Sequence, residues 1–458
     1  MTRKTLKPFV FAAMAAVGLL TTPLAASAES LADALVSAYR NSNLLEQNRA
    51  TLRAADEDVA TAVAALRPVL QWSADYSYTK ADQYPTADRR SAALTLAAQM
   101  TLFDFGRNRL AIDMQKEAVL ATREALRSIE QDVLLSAISA YTSVKSTAEQ
   151  VSINDNSVRV LSEELKATQD RFDVGEVTKT DVSLAEAQLA SARASLAAAR
   201  GNYQIAREAY KAAVGHYPTS LAALPKAPKL PKSLAEAQST AQRNHPAIKQ
   251  VQHNVTLAEL GIKAAAAERL PEVTGSLALK NAEAGVTTQS AGVELTQTIY
   301  AGGALSAAHR QAIAGRDKAR ATLQQTAVEL AQGAAQAWSL IDVYRAQIRA
   351  YDEQVQAARI AYQGVKEEAT LGARTTLDVL DAEQDLLDAQ AARIDAEAQL
   401  QVGYYQLLSA MGLLTVEDLK LGIPTYDPAA YYNAVRNAPS TSVQGQSLDR
   451  VLRTIGKP

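Results

Sequence analysis

The sequence is built from one unit that occurs twice. The motif SLADA at Ser30 recurs as SLAEA at Ser233. Further along, LFDFG at Leu102 is matched by IYAGG at Ile299. Each unit takes up roughly 200 of the 458 residues, and a repeat of that length predicts two copies of one supersecondary unit that pack together. The fold of the chain therefore depends on what one unit forms.

Each repeat is dominated by one long segment without proline, residues 105–172 in the first and 303–369 in the second. A helix of about 67 residues is roughly 100 Å long at 1.5 Å per residue. That is too long for the core of a compact domain, so such helices have to line up as a coiled-coil-like wall. The other helices are predicted over residues 179–215 and 376–412, after turns at Gly175 and Gly372, and over residues 29–66 and 233–270.

Residues 68–102 and 271–300 alternate between apolar and polar side chains, which is the period of a β-strand. Trp72 and Tyr76, for example, fall on the side opposite Ser73. Each predicted strand has about 10–13 residues, enough for a tilted strand to cross a bilayer. A soluble hairpin with one face on a helix fits the same pattern. Because an open sheet edge cannot sit in lipid, membrane insertion would require several chains that each lend four strands.

The segments outside the two repeats have simpler patterns. Residues 1–28 combine a basic start, an apolar run and a small-residue site that ends at Ala28, which predicts a cleaved secretory signal. Four prolines in residues 217–232 predict an extended linker. The two structural repeats are then residues 29–216 and 233–415. Residues 416–458 form a C-terminal segment, and we expect its end to be disordered.

Composition excludes several classes of function. The formal net charge is −2, and removal of the leader would take away three basic residues, so a nucleic-acid partner is not expected. The chain has no cysteine and only four histidines. No motif combines a nucleophile, a base and an oxyanion site, so we expect no enzyme, no metal site and no cofactor.

The two turns after the long helices carry the most distinctive polar residues. Thr178 and Asp181 in the first repeat, and Thr375 and Asp378 in the second, have the spacing of a helix capping box. Capping does not explain Asp381, because Asp378, Asp381, Asp385 and Asp388 share one helix face where like charges repel. The face is either a solvated acidic surface or the lining of an aqueous passage that favours cations.

These turns resemble those of the TolC family of outer-membrane efflux and secretion channels. The resemblance is carried by GARTTLDVLD from Gly372 to Asp381, by RFDVG from Arg171 to Gly175, and by TDV at Thr180. Together with the duplicated plan of helices and hairpins, it covers nearly the whole chain from Glu29 to Leu421.

The resemblance implies a mainly α-helical homotrimer with a membrane β-barrel. Twelve strands would form one barrel in the outer-membrane lipid, and twelve helices would form a periplasmic tunnel with a belt around its middle. The far end would open when a periplasmic adaptor protein and an inner-membrane transporter of the ABC or RND type dock. Drugs or secreted proteins would be the substrates. The alternative is a periplasmic coiled-coil adaptor or scaffold, which the strands disfavour.

The resemblance also assigns roles to residues of the turns. Asp378 and Asp381 match the acidic rings at the tunnel entrance of the family. Arg374, Asp181 and Thr180 match members of the polar links that hold this entrance shut, next to the tip glycines Gly175 and Gly372. The family's links also use a tyrosine, and Ala369 occupies that position here. The closed state is therefore expected to be held differently.

Overall fold

The computed structural model describes residues 28–79, 89–282, 285–435 and 450. The predicted signal up to residue 27, residues 80–88 and 283–284, and the end of the C-terminal segment lie outside the described residues. The first repeat consists of α1 (Leu31–Asn41), α2 (Asn43–Ala64), β1 (Val69–Thr79), β2 (Arg89–Phe103), α3 (Arg107–Asp173) and α4 (Lys179–Val214).

The second repeat has the same order of elements. It consists of α5 (Leu234–Asn244), α6 (Pro246–Ala267), β3 (Glu272–Ala282), β4 (Val286–Thr296), α7 (Ala304–Thr370) and α8 (Thr376–Ala410). A short helix, α9 (Pro428–Val435), follows in the C-terminal segment. Sequence analysis did not predict α9, because eight residues are too few to display a helical period.

The helices predicted over residues 29–66 and 233–270 are wrong as single helices, because each is broken into two. In the first repeat the Oγ of Ser42 accepts a hydrogen bond from the backbone N of Leu45 at 3.2 Å and starts a new helix. In the second repeat His245 has extended backbone geometry, and Pro246 follows it as the first residue of α6. A proline at that position is compatible with a helix start but not with a helix interior.

The ends of the return helices fit into these two breaks. At the end of α4, the carbonyl O of Val214 accepts a hydrogen bond from Asn41 Nδ2 at 3.2 Å. At the end of α8, Gly412 has a φ of 74°, which glycine adopts without strain. A Cβ at Gly412 would lie 2.6 Å from the Cα of His245, so the two backbones touch at this point.

The largest buried cluster lies beside these contacts, near the middle of the long helices. Leu35 of α1, Tyr141 of α3, Tyr210 of α4 and Leu407 of α8 belong to it, and we call this region the waist. The linker crosses the waist, where the hydroxyl oxygen of Tyr141 lies 2.9 Å from the carbonyl O of Ala222. The linker and the helix breaks are therefore fixed to the same core.

The long helices extend from the waist in both directions. Both α3 and α7 have 67 residues, or about 100 Å of helix. Towards the tips α3 packs against α4 and α8, and α7 packs against α8. Small and branched side chains such as Ala185, Leu189 and Leu161 fill these seams, so the helices approach closely.

The two hairpins form one antiparallel sheet with the strand order β1-β2-β3-β4. Among the described residues no helix packs across this sheet, and apolar side chains point into open space. Trp72 is 74% exposed and Val293 is 72% exposed. The outer edges of β1 and β4 are unpaired in the single chain. The alternative of a hairpin covered by a helix is thus wrong. None of the helices in the described part of the chain is long and apolar enough to cross a membrane.

The contact between Gly412 and His245 can be tested with a matched pair of substitutions. Gly412→Ala would force an alanine into a left-handed conformation, at a cost of about 1–2 kcal/mol, and would also push against His245. Gly422→Ala is the control, because Gly422 has a φ of 68° but nothing within 4 Å of the added Cβ. We expect the melting temperature from circular dichroism to fall several degrees further for Gly412→Ala. Equal melting temperatures would contradict the backbone contact.

Candidate functional site

Each long helix ends at its tip in the same hydrogen-bonded turn. After α3, the N of Glu176 donates to the carbonyl O of Arg171 at 2.9 Å, and Gly175 has a φ of 83°. After α7, the N of Ala373 donates to the carbonyl O of Glu368 at 2.9 Å, and Gly372 has a φ of 74°. This pattern is a Schellman motif, which needs a left-handed residue after the helix. The predicted tip glycines therefore have a defined backbone role.

Both return helices start with a capping box, as the sequence indicated. In α4, Asp181 Oδ2 accepts hydrogen bonds from the N and the Oγ1 of Thr178 at 2.8 and 2.7 Å. In α8, Asp378 Oδ2 accepts from the N and the Oγ1 of Thr375, both at 2.9 Å. These bonds favour the ionised carboxylates and lower the pKa of Asp181 and of Asp378. Both acids stay negatively charged well below neutral pH.

Arg374 is held inside its own chain. Its Nε donates to Glu368 Oε2 at 2.8 Å, across the turn at Gly372, and both side chains are about half exposed. The hydrogen bond to Glu368 is the main cause of the raised pKa of Arg374. Sequence analysis missed Glu368, although its position in the last turn of α7 puts it within reach of Arg374. Ala369, which the resemblance places at the position of the family's tyrosine, is buried.

The single chain does not bring all the predicted latch residues together. Within the described residues, Arg374 makes no ion pair with Asp181, and α4 does not pack against α7. Thr180 lies on the first turn of α4 with an exposed side chain. Arg374 and Asp181 therefore lie on different pairs of helices.

The acidic face of α8 is open to solvent in the single chain. Asp381, Asp385 and Asp388 are all exposed, and Asp388 accepts a hydrogen bond from Gln384 at 2.8 Å. On the opposite face of α8, Glu383 is buried between α3 and α7, and this burial raises its pKa. Sequence analysis missed Glu383, which shares an apolar stripe with Leu380. The acidic residues of α8 near the tip thus divide into the exposed, predicted aspartates and one buried glutamate that was not predicted.

The geometry defines a class of protein. An uncovered sheet is joined to about 100 Å of paired helices, which end in narrow polar turns. The model of the family described as "Outer membrane efflux protein" matches residues 34–216 and 237–413, which correspond to the two repeats. The chain belongs to this family.

Two relatives illustrate the similarity of sequence. The chain is 34% identical to the outer membrane efflux protein BepC of Brucella suis biovar 1, over 95% of this chain and 96% of BepC. It is 26% identical to the outer membrane protein TolC of Escherichia coli K12, over 92% of this chain and 91% of TolC.

Solved structures share the fold at lower identity. A crystal structure of CusC superposes with a TM-score of 0.75 at 21% identity, over 84% of this chain and 92% of CusC. The outer membrane protein VceC of Vibrio cholerae gives a TM-score of 0.70 at 22% identity, over 83% of this chain and 96% of VceC. The predicted family, the mainly helical fold with two tandem repeats, and the outer-membrane location are confirmed.

The capping box of α8 gives a direct test of local order at the tip. Thr375→Val keeps the shape of the side chain but removes the hydroxyl that bonds to Asp378. We expect the first turn of α8 to open more often, with amide exchange about fivefold faster over residues 376–380. The pKa of Asp378 should rise towards its ordinary value. Thr370→Val, on the other side of the turn, is the control. Equal exchange in both variants would show that the cap is dispensable.

Proposed function

We propose that three copies of this chain form a gated exit channel, which carries substrates from an inner-membrane transporter across the periplasm and the outer membrane. The observation that carries the proposal is the uncovered sheet joined to the long helices. Exposed apolar side chains such as Trp72 and Val293 are costly in water but favourable in lipid. The helices are long enough to reach far below the membrane.

The open edges of the sheet account for the need for several chains. The outer edges of β1 and β4 carry backbone N–H and C=O groups without partners in the single chain. In lipid each such group costs several kcal/mol unless a neighbouring strand pairs with it. Pairing of β4 with β1 of the next chain would satisfy both edges. Three chains with four strands each would close the twelve-stranded barrel that the family resemblance implies.

The far end of the tunnel is proposed as the gate. The link that the resemblance assigns to Arg374, Asp181 and Thr180 would form between neighbouring helix pairs, because Arg374 does not reach Asp181 within one chain. Within the chain, Glu368 Oε2 accepts a hydrogen bond from Arg374 Nε at 2.8 Å and so restrains the guanidinium. We assign to Glu368 the anchoring role that the tyrosine has in the family and that Ala369 cannot perform.

The acidic face of α8 is proposed as the lining of the entrance. In a trimer, Asp378 and Asp381 would each occur three times around one axis, and a ring of carboxylates attracts cations. One oxygen of Asp378 accepts the capping hydrogen bonds, which hold its charge in a fixed position. Asp381 takes no part in the cap, so its substitution tests the role of the charge without disturbing the start of α8.

The outer-membrane location and the exposed apolar residues of the helix tips favour two kinds of partner protein. The proposed partners are a periplasmic adaptor and an inner-membrane transporter of the ABC or RND type, which would use the channel for drug efflux or for type I secretion. Relatives of both kinds exist, since BepC is an outer membrane efflux protein and AprF of Pseudomonas aeruginosa, 25% identical over 75% of this chain, is an alkaline protease secretion protein. Val174 and Leu371, at equivalent positions of the two tips, are 71% and 85% exposed and offer apolar contacts to an adaptor.

Single-channel recording in a planar bilayer tests the channel and its gate. We expect small steps from the parent and larger steps from Arg374→Ser, because the closed end loses a latch. Glu368→Gln should have the same effect if Glu368 anchors Arg374. Arg349→Ser, an exposed site on α7, should leave the steps unchanged. No current from parent or variant, with protein shown to be inserted, would overturn the channel, and parental steps from Arg374→Ser would overturn the latch alone.

Ion selectivity tests the acidic lining. We expect Asp381→Asn to lower the permeability ratio of potassium to chloride, since each trimer loses three negative charges at the entrance. Asp342→Asn, an exposed acid on α7 away from the tip, is the control. Combining Asp381→Asn with Asp378→Asn should lower the ratio further. An unchanged ratio would leave these residues as a solvated surface and a cap.

A further inference from the structure

Asp56 of α2 is an unusual residue at the edge of the waist. Its side chain is completely buried, and neither carboxylate oxygen has a hydrogen-bond partner. It lies among the apolar residues Leu52, Val59 and Val119, beneath the C-terminal segment. A buried carboxylate without partners is strongly disfavoured in its ionised form. The proposed channel function gives this residue no role.

The second repeat provides an internal comparison. Asp56 corresponds in the repeat to Glu259, and Arg123 of α3 corresponds to Arg320 of α7. Glu259 and Arg320 form an ion pair at 2.7 Å. Asp56 is one methylene group shorter than glutamate, and within the described residues it makes no ion pair with Arg123. The first repeat thus has both partners of the pair but not the pair itself.

Arg123 is engaged elsewhere. Its guanidinium carbon lies 5.3 Å from the centre of the ring of Tyr432, in α9, within the range of a cation–π contact. The Nε of Arg123 has no hydrogen-bond partner. Arg123 therefore lies between a buried carboxylate and an aromatic ring of the C-terminal segment, and within the described residues it contacts the ring but forms no ion pair with the carboxylate.

Further contacts of the C-terminal segment around α9 go to α1 and α2. The guanidinium of Arg49 lies between the rings of Tyr39 and Tyr426, at 5.1 and 5.3 Å. The hydroxyl of Tyr431 donates to Glu57 Oε1 at 2.7 Å. Around α9, these contacts place aromatic side chains of the segment on charged residues of α2.

We propose that Asp56 is a proton-operated clasp for the C-terminal segment. With Asp56 protonated, Arg123 stays over Tyr432 and α9 is seated on α2 and α3, as in this structure. When Asp56 loses its proton, the carboxylate draws Arg123 away from Tyr432, as Glu259 holds Arg320 in the second repeat. The segment is then held by fewer contacts and opens more often.

The electrostatic surroundings support this arrangement. Burial is the main reason that the pKa of Asp56 is raised to about 6, with Arg123 lowering it and Glu57 raising it. In the described part of the chain, the other charged or titratable groups around the cluster are Glu46, Arg49 and Arg53 of α2 and Tyr426, Tyr431 and Tyr432 of the C-terminal segment. The seated state binds the proton more tightly than the open state. Its stability is therefore greatest below the ordinary pKa of aspartate, about 4, and is lost as the pH rises through about 6.

Hydrogen–deuterium exchange of the intact protein in detergent tests the clasp. Protection factors over α9, corrected for the intrinsic effect of pH, should be about tenfold lower at pH 8 than at pH 5 in the parent. Asp58→Asn, an exposed acid on the same helix, should keep that ratio. Asp56→Asn cannot ionise and should keep α9 protected at both pH values. Asp56→Glu can reach Arg123 and should lower protection at both.

Three further outcomes distinguish the clasp from a purely structural role. Tyr431→Phe removes the bond to Glu57 and should lower protection over α9, while it leaves the charge of Glu57 in place and the ratio between the two pH values unchanged. A parent whose protection over α9 does not depend on pH would overturn the proposal. The same pH ratio in Asp56→Asn as in the parent would also overturn it, since the titrating group would then be another residue.

Discussion

The architecture depends on the places where helix ends meet helix breaks at the waist. The close approach of Gly412 to the backbone of His245, and the bond from Asn41 to Val214, fix the ends of the return helices against the short helix pairs. A return helix and a short pair together run alongside one long helix. Because neither is long enough alone, the long helix would be half uncovered if the junction slipped. The contacts at Gly412 and Val214 thus determine how much of each long helix is covered by other helices.

Much of this plan is readable from the sequence, because long helices and repeated motifs leave strong periodic signals. The two long helices, the sheet and the tip turns follow from proline-free runs, alternation and glycine positions. The break at Ser42 does not, because no glycine or proline marks it and a serine also fits a helix interior. Its counterpart at His245 is signalled by Pro246. The missed residues Glu368 and Glu383 depend on which face of a helix meets a neighbour, and helix periodicity alone does not determine that.

The tips combine a structural and a proposed functional use of the same residues. One oxygen of Asp378 closes the capping box, and the charge that remains is available to solvent. The lowered pKa of Asp378 means that capping also keeps this charge permanent across the pH range of the periplasm. A capping residue is thus compatible with an entrance ring, because the cap needs the ionised carboxylate as much as the ring does.

The two repeats share the residues that shape the helix tips, but they differ at the positions for which we propose a function. The tip glycines and both capping boxes occur in each repeat. Arg374 and Glu368, however, correspond to Val177 and Arg171, and Asp381 corresponds to Leu184. The first repeat can therefore form neither the ion pair across the turn nor the acidic face. In a trimer, three links of the proposed kind would each join the tip of an α7–α8 pair to the tip of a neighbouring α3–α4 pair. Opening would then need to move only the α7–α8 pairs, while α3 and α4 stay in place.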